Sequence, residues 1–255
     1  MRESGILMHI TSLPGPYGIG TMGANAYAFV DFLQKAGQSW WQLLPLGPTG
    51  YGDSPYQSCS AYAGNPYLID LDMLVDDGLL FPAEMDGALW GDRFDRVDYG
   101  LQYKNRLSIL RTAYRRFTKW AELEEFCSRN GDWLPDFALY MALKERFDGI
   151  PWYRWEDGLK HREPDAIWNV RQKMAEQVRF YSFVQFLFYK QWNALRSYAK
   201  ERGIRLLGDV PIYVPLDSVE AWCCPELFQL DETLTPTAVA GCPPGLLQRG
   251  RSALG

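Results

Sequence analysis

Residues 24–52 read ANAYAFVDFLQKAGQSWWQLLPLGPTGYG, and residues 183–214 read FVQFLFYKQWNALRSYAKERGIRLLGDVPIYV. Both stretches follow one grammar. Apolar residues recur at helical spacing, a glycine (Gly37, Gly203) supplies a natural left-handed stop, a short apolar run follows, and a loop closes the unit. A helix, a tight turn, an apolar strand and a loop together make the αβ unit of a parallel sheet whose faces are covered. SWWQLLPL (39–46) and IRLLGDV (204–210) are the predicted strands. GILMHI (5–10) supplies an earlier one, followed by the loop TSLPGPYGIG. The expected fold class is α/β.

Between the second and third strands lies an interval of different character, from about residue 67 to residue 200. NRLSILRTAYRRFTKWAELEEFCSRNG (105–131) and DWLPDFALYMALKERF (132–147) carry helical spacing with mixed charge, whereas IPWYRWEDGLKHREPDAIWN (150–169) is Trp-rich and reads as a loop. The interval is expected to be a largely helical insertion in a barrel-like frame. The chain divides accordingly. Residues 1–66 hold the first barrel strands and their loops, 67–200 the insertion and return helix, 201–244 the third strand and its loop, and 245–255 an aberrant tail. No unit of 20–50 residues repeats along the chain in the manner of a solenoid.

Composition narrows the function classes. The 255 residues are 47% hydrophobic and 22% charged, which is the balance of a globular chain. Net charge is −5 with acids and bases interspersed, so no basic stripe exists to neutralise a phosphate backbone, and nucleic acid is excluded as a partner. The apolar run near the N-terminus is too short for a signal peptide or a membrane span, so no membrane association is expected and the chain reads as cytoplasmic. Five cysteines (Cys59, Cys127, Cys223, Cys224, Cys242) include no C-x-x-C pair and lie far from both histidines. Free thiols are expected, with no disulfide framework, no metal site and no cofactor. Aromatic residues make up 15% of the chain, enough to furnish both a packed core and surfaces on which sugar rings stack.

In a parallel α/β barrel the ligand site lies at the carboxyl ends of the strands. That rule selects three loops: TSLPGPYGIG (11–20), GPTGYGDSPYQSCSAYAGNPY (47–67) and GDVPIYVPLD (208–217). In the second, Tyr51, Tyr56, Tyr62 and Tyr67 alternate with Asp53, Ser54, Gln57 and Asn65 on a backbone fixed by glycine and proline. Such a mixture can stack on a sugar and hydrogen-bond its hydroxyls, and it equally fits tyrosines that simply pack a turn. In the third, Asp209 is a lone carboxylate at a strand end.

TSLPGPYGIG, GPTGYGDSPYQS, AGNPYLIDL and GDVPIYVPLDSVEAW with the following PELFQLD, in that order, strongly resemble the 4-α-glucanotransferases, also called amylomaltases or disproportionating enzymes, of glycoside hydrolase family 77. The resemblance runs from near residue 5 to about residue 244. It implies the N-terminal part of a (β/α)8 TIM-type barrel. The implied reaction transfers an α-1,4-glucan segment to the 4-hydroxyl of another glucan by the retaining route. In that route one carboxylate attacks the anomeric carbon and a protonated carboxyl about 5 Å away serves the leaving oxygen. Malto-oligosaccharides and α-1,4-glucans are the implied partners. Ser54, Tyr56 and Asp209 match donor-site residues of the family, Tyr51 matches a tyrosine of a second glucan-binding surface, and Asp53 lies between these matches.

The family's nucleophile belongs to an Arg-x-Asp-His stretch on a later strand, and its acid to a Glu beyond that; neither block is present. Arg93-Phe94-Asp95 and Arg96-Val97-Asp98 lack a preceding apolar strand and a following His, and read as a solvated turn. Asp217 and Glu220 have the spacing of a helix capping box, which leaves Glu220 a solvated acid. After VAGCPP the sequence GLLQRGRSALG departs from the family pattern. The expectations are a truncated family sequence with no catalytic pair, inactive alone and poorly soluble through an open sheet edge. The alternatives are a non-catalytic malto-oligosaccharide-binding module and an amylase-type hydrolase, the latter at odds with the GPTGYGDSPYQS block.

Overall fold

Two identical helix stops deliver two strands to one sheet. Helix α1 (Ala24–Lys35) ends where Gly37 takes φ +67°, with Gln38 N–H donating to Leu33 O and Gly37 N–H to Gln34 O. The last and longest helix of the middle interval repeats the motif at Gly203, φ +73°, with Ile204 N–H on Ala199 O and Gly203 N–H on Lys200 O. Each is a Schellman closure. The left-handed residue at its centre is free of steric cost only as glycine. In the computed structural model, which describes residues 2–50, 52–93 and 95–238, the strands so launched are β2 (Trp40–Gln42) and β3 (Arg205–Leu207), with β1 (Gly5–Leu7) on the other side of β2. The order is β1-β2-β3, all parallel, with Ile6, Trp41 and Leu206 in register.

The strands are shorter than their apolar runs, and the expected cover on both faces is not met. Ile6, Trp41 and Leu206 pack into the core, whereas Leu7 and Leu207, aligned on either side of Gln42, are 53% and 47% exposed. Among the described residues only one face of this sheet is covered. GILMHI leaves the strand after Leu7 and winds into a 3₁₀ turn at Ile10–Ser12.

Helices occupy the middle of the chain: α2 (Leu71–Asp76), α3 (Ala83–Asp86), α4 (Tyr99–Arg116), α5 (Trp120–Arg129), α6 (Leu134–Arg146), α7 (Asp157–Lys160), α8 (Pro164–Lys173) and α9 (Ala175–Glu201). The last described α-helix, α10 (Val219–Cys223), follows β3. The segment 150–169, read as a loop, is partly helical. A 3₁₀ turn at Trp152–Arg154 and α7 sit there because the buried rings of Trp152 and Trp155 anchor them.

Helix α9 organises the interior. Phe180, Phe183, Val184, Leu187, Phe188, Gln191 and Leu195 are buried at intervals of three and four, the signature of one helix face. The rings of Phe183 and Phe186 meet Phe117 and, with Phe180, the edge-to-face cluster around Tyr114 and Trp120. Burying each such side chain contributes about 1.5–3 kcal/mol. The helix also buries two glutamines, on different sides of its axis. Gln185 donates to Gly64 O and accepts from Gly64 N–H, and Gln191 does the same with Asp70. Each amide thus replaces a strand partner for the backbone of AGNPYLID. Gly64 has no room for a side chain there, since an added Cβ would lie 2.1 Å from the Phe188 ring.

Candidate functional site

Because the three strands are parallel, the segments after β2 and β3 leave from one edge of the sheet. The ladder extends one step beyond the strands through Leu43 N–H to Leu207 O. The segment after β2 then forms a tight loop. Thr49 and Ser58 bridge, Gly50 and Gln57 pair, and Gly52 and Asp53 both take positive φ (+87° and +57°). Aspartate tolerates that conformation better than most side chains, which suits Gly-Asp to the loop tip. Ser54 Oγ accepts from Tyr56 N–H and Ser54 O accepts from Gln57 N–H, so the SPYQ turn is held by its own serine.

That turn projects Tyr56 toward the segment after β3. Tyr56 Oη donates to Asp209 Oδ2 at 2.7 Å, joining residues 153 positions apart, and Asp209 Oδ1 accepts from Val210 N–H at 2.8 Å. Its hydrogen bond to Asp209 raises the Tyr56 hydroxyl above its ordinary value. The pair lies in a pocket of about 170 Å³ lined also by Gly47, Ser58, Ser60, Tyr213, Pro215 and Glu220. Beyond it the PIYV loop stands in solvent, with Val210 80% and Ile212 89% exposed. An apolar rim next to buried polar groups is the usual mark of a surface that meets a ligand or partner.

Of the residues singled out from sequence, Tyr56 and Asp209 come together. Ser54 is half-buried and shapes the turn, outside the pocket lining. Asp53 is half-buried, and burial raises its carboxyl above the usual range. Tyr51 lies outside the described residues. So do Phe94, Cys242 and the tail after residue 238, including the VAGCPP segment. The loop 11–20 does not line this pocket. Arg93 and Asp95 form an exposed ion pair, and Asp98 caps α4 through Leu101 N–H.

The capping-box reading of Asp217 and Glu220 is overturned. Ser218 caps α10, its hydroxyl accepting from Ala221 N–H. Asp217 instead accepts from Tyr140 Oη and Lys144 Nζ, both at 2.7 Å, and from Trp152 N–H, tying the loop after β3 to α6 and the tryptophan turn. Glu220 is half-buried rather than solvated, and its Oε1 accepts from Ala61 N–H at 2.7 Å and Ser60 Oγ at 3.1 Å. Both acids serve partners at least 65 residues earlier in the chain. A local spacing rule cannot find such partners.

Among the described residues, Cys59, Cys127, Cys223 and Cys224 are free, no cluster of three or more His, Cys, Asp or Glu could hold a metal ion, and no helix is long and apolar enough to cross a membrane. Burial pushes the Cys59 thiol up to about 12.

A parallel αβ frame with two loops meeting above its strands defines an α/β protein with a loop-built pocket, and comparison with known proteins narrows the class. Residues 8–250 match the family described as 4-alpha-glucanotransferase, and the chain belongs to that family. It is 50% identical over 249 residues to the 4-alpha-glucanotransferase of Thermus thermophilus, covering 95% of this chain and 49% of the relative. It is 45% identical over 240 residues to that of Clostridium butyricum, covering 93% and 49%. Among solved structures it resembles the amylomaltase of Streptococcus agalactiae in complex with acarbose, with a TM-score of 0.93, 45% identity and coverage of 96% of this chain and 50% of the other. A Corynebacterium glutamicum amylomaltase, at 20% identity and a TM-score of 0.64, shares the fold. The chain spans about half the length of the curated relatives it matches.

Proposed function

We propose that this chain provides the sugar-gripping part of a cytoplasmic 4-α-glucanotransferase of the (β/α)8 barrel type, with β1–β3 as barrel strands and residues 67–200 as an insertion. The substrates are malto-oligosaccharides and α-1,4-glucans. The observation that carries this reading is the Tyr56–Asp209 hydrogen bond, made by two loops at the carboxyl edge of the sheet in a chain of this family. With one oxygen on Val210 N–H and the other on Tyr56, Asp209 is held in one orientation. Its remaining lone pairs are free to accept from vicinal sugar hydroxyls, while the Tyr56 and Tyr213 rings offer apolar faces. Ser54 acts by setting the turn that aims Tyr56, Asp53 adds a carboxylate to the grip at the loop tip, and Tyr51 is assigned to a second glucan-binding surface. Four free thiols accord with a reducing compartment.

We assign the nucleophile and the acid of the retaining reaction to the half of the relatives' length that this chain does not span. Asp209 and Glu220, the two carboxylates at the pocket, already take protein hydrogen bonds, which favours binding without turnover by this chain alone. Titration with maltoheptaose by calorimetry, with glucose release from maltotriose followed in parallel, tests both statements. Saturable binding with no glucose is expected. Absence of binding sinks the grip, and glucose release sinks the assignment of the catalytic pair.

A further inference from the structure

We propose that Glu220 is a positioning residue of the pocket: its carboxylate clasps residues 58–63 to α10 and thereby holds Tyr56 against Asp209. This rests on the glucan-binding reading above.

Glu220 Oε1 is the hub of the loop. It accepts from Ala61 N–H and from Ser60 Oγ, while Ser60 Oγ accepts from Tyr62 N–H and Ala63 N–H, both at 3.2 Å. The serine's one proton and both lone pairs are thereby assigned. Ser58 Oγ donates to Ser60 O and accepts from Ser60 N–H, so the chain between the pocket wall and the clasp has little slack. A second tie runs the other way across the same seam, from Val219 N–H to Cys59 O at 2.9 Å. Helix α10 follows the loop that carries Asp209, and residues 58–63 follow the turn that carries Tyr56. Tyr56 and Asp209 therefore sit on two arms whose bases Glu220 fastens.

The other oxygen, Oε2, is buried and has no hydrogen-bond partner among the described residues. Only Oε1 makes the clasp, so glutamine keeps that acceptor and with it the tie to Ala61 and Ser60, while its NH2 group at the Oε2 position costs overall stability rather than the clasp. Alanine leaves two donors with nothing to meet.

The test measures maltoheptaose affinity of the 255-residue chain and of Glu220→Ala, Glu220→Gln and Tyr56→Phe, with amide exchange of Ala61, Tyr62 and Ala63 recorded without sugar. Glu220→Ala is expected to weaken affinity about tenfold and to speed exchange at Ala61 about tenfold or more, while Glu220→Gln stays within about threefold of the unmutated chain on both. In the Tyr56→Phe background, Glu220→Ala is expected to add less than about a twofold loss, because it acts through Tyr56. Unchanged affinity in Glu220→Ala, or its full loss repeated in the Tyr56→Phe background, overturns the proposal. Failure of the unmutated chain to bind maltoheptaose defeats the proposed function. Exchange then decides the clasp alone, supported by faster exchange at Ala61 and overturned by none. Should Glu220→Ala not fold, Ser60→Ala removes the hydroxyl arm of the clasp and is held to the same two readouts.

Discussion

In the helical body Phe183, Gln185 and Phe188 on α9 are buried, and the glutamine spends its amide on the backbone of Gly64; on the rim above the sheet Val210 and Ile212 stand in solvent, and Tyr56 reaches Asp209 through a single hydrogen bond. The first arrangement gains from apolar burial and leaves its polar backbone no alternative partner. The second holds exposed side chains in place with a few polar ties. On the proposed function, stability and ligand grip therefore reside in different residues of this chain, and substitutions on the two sides have different signatures.

The largest expected effect lies in the body. Gln185→Ala strands a buried N–H and a buried C=O of Gly64 and is expected to cost about 2–5 kcal/mol in urea unfolding. A cost below about 1 kcal/mol would mean that the loop finds other partners. Next comes acid. Burial lowers the His9 pKa to about 4, from an ordinary value near 6.5, and its Nδ1 has no hydrogen-bond partner. The unfolded chain takes the proton more readily than the fold. The stabilising contribution of neutral His9 is therefore full above about pH 6.5 and is lost as pH falls toward 4, by about 3 kcal/mol at most. Comparing the pH dependence of unfolding in the original chain and in His9→Asn isolates it, and parallel curves for the two would refute it. The smallest effect on stability belongs to the rim. Tyr56→Phe is expected to change unfolding by less than about 0.5 kcal/mol while weakening maltoheptaose binding about tenfold. A loss of stability with affinity intact would reverse the division between body and rim.

Local chemistry made part of this legible. The stops at Gly37 and Gly203 follow from a left-handed conformation that glycine alone adopts freely, and they locate β2 and β3. The convergence of the SPYQ and GDVPIYV loops follows from the parallel sheet, because both leave the same edge. The roles of Asp217 and Glu220 were hidden, since their partners Tyr140, Lys144 and Ala61 lie 77, 73 and 159 positions away. Gln185 and Gln191 were equally silent, for a glutamine on a helix reads as polar surface until its backbone partner is known. The Trp152 and Trp155 turn was missed because proline and glycine flanks outweigh, in a local reading, the pull of two large rings toward the core.

The paired glutamines also make α9 a gauge of length. Gln185 and Gln191 are separated by six residues of helix, about 9 Å of rise. Gly64 and Asp70 are likewise six residues apart, but an extended chain of that length would reach about 20 Å. The excess is taken up by the 3₁₀ turn at Pro66–Leu68, which Asn65 caps through Tyr67 N–H. An inserted or deleted residue between Gly64 and Asp70 would leave one glutamine matched and the other facing the wrong peptide. The two glutamines thereby fix the residue count of that interval in this chain.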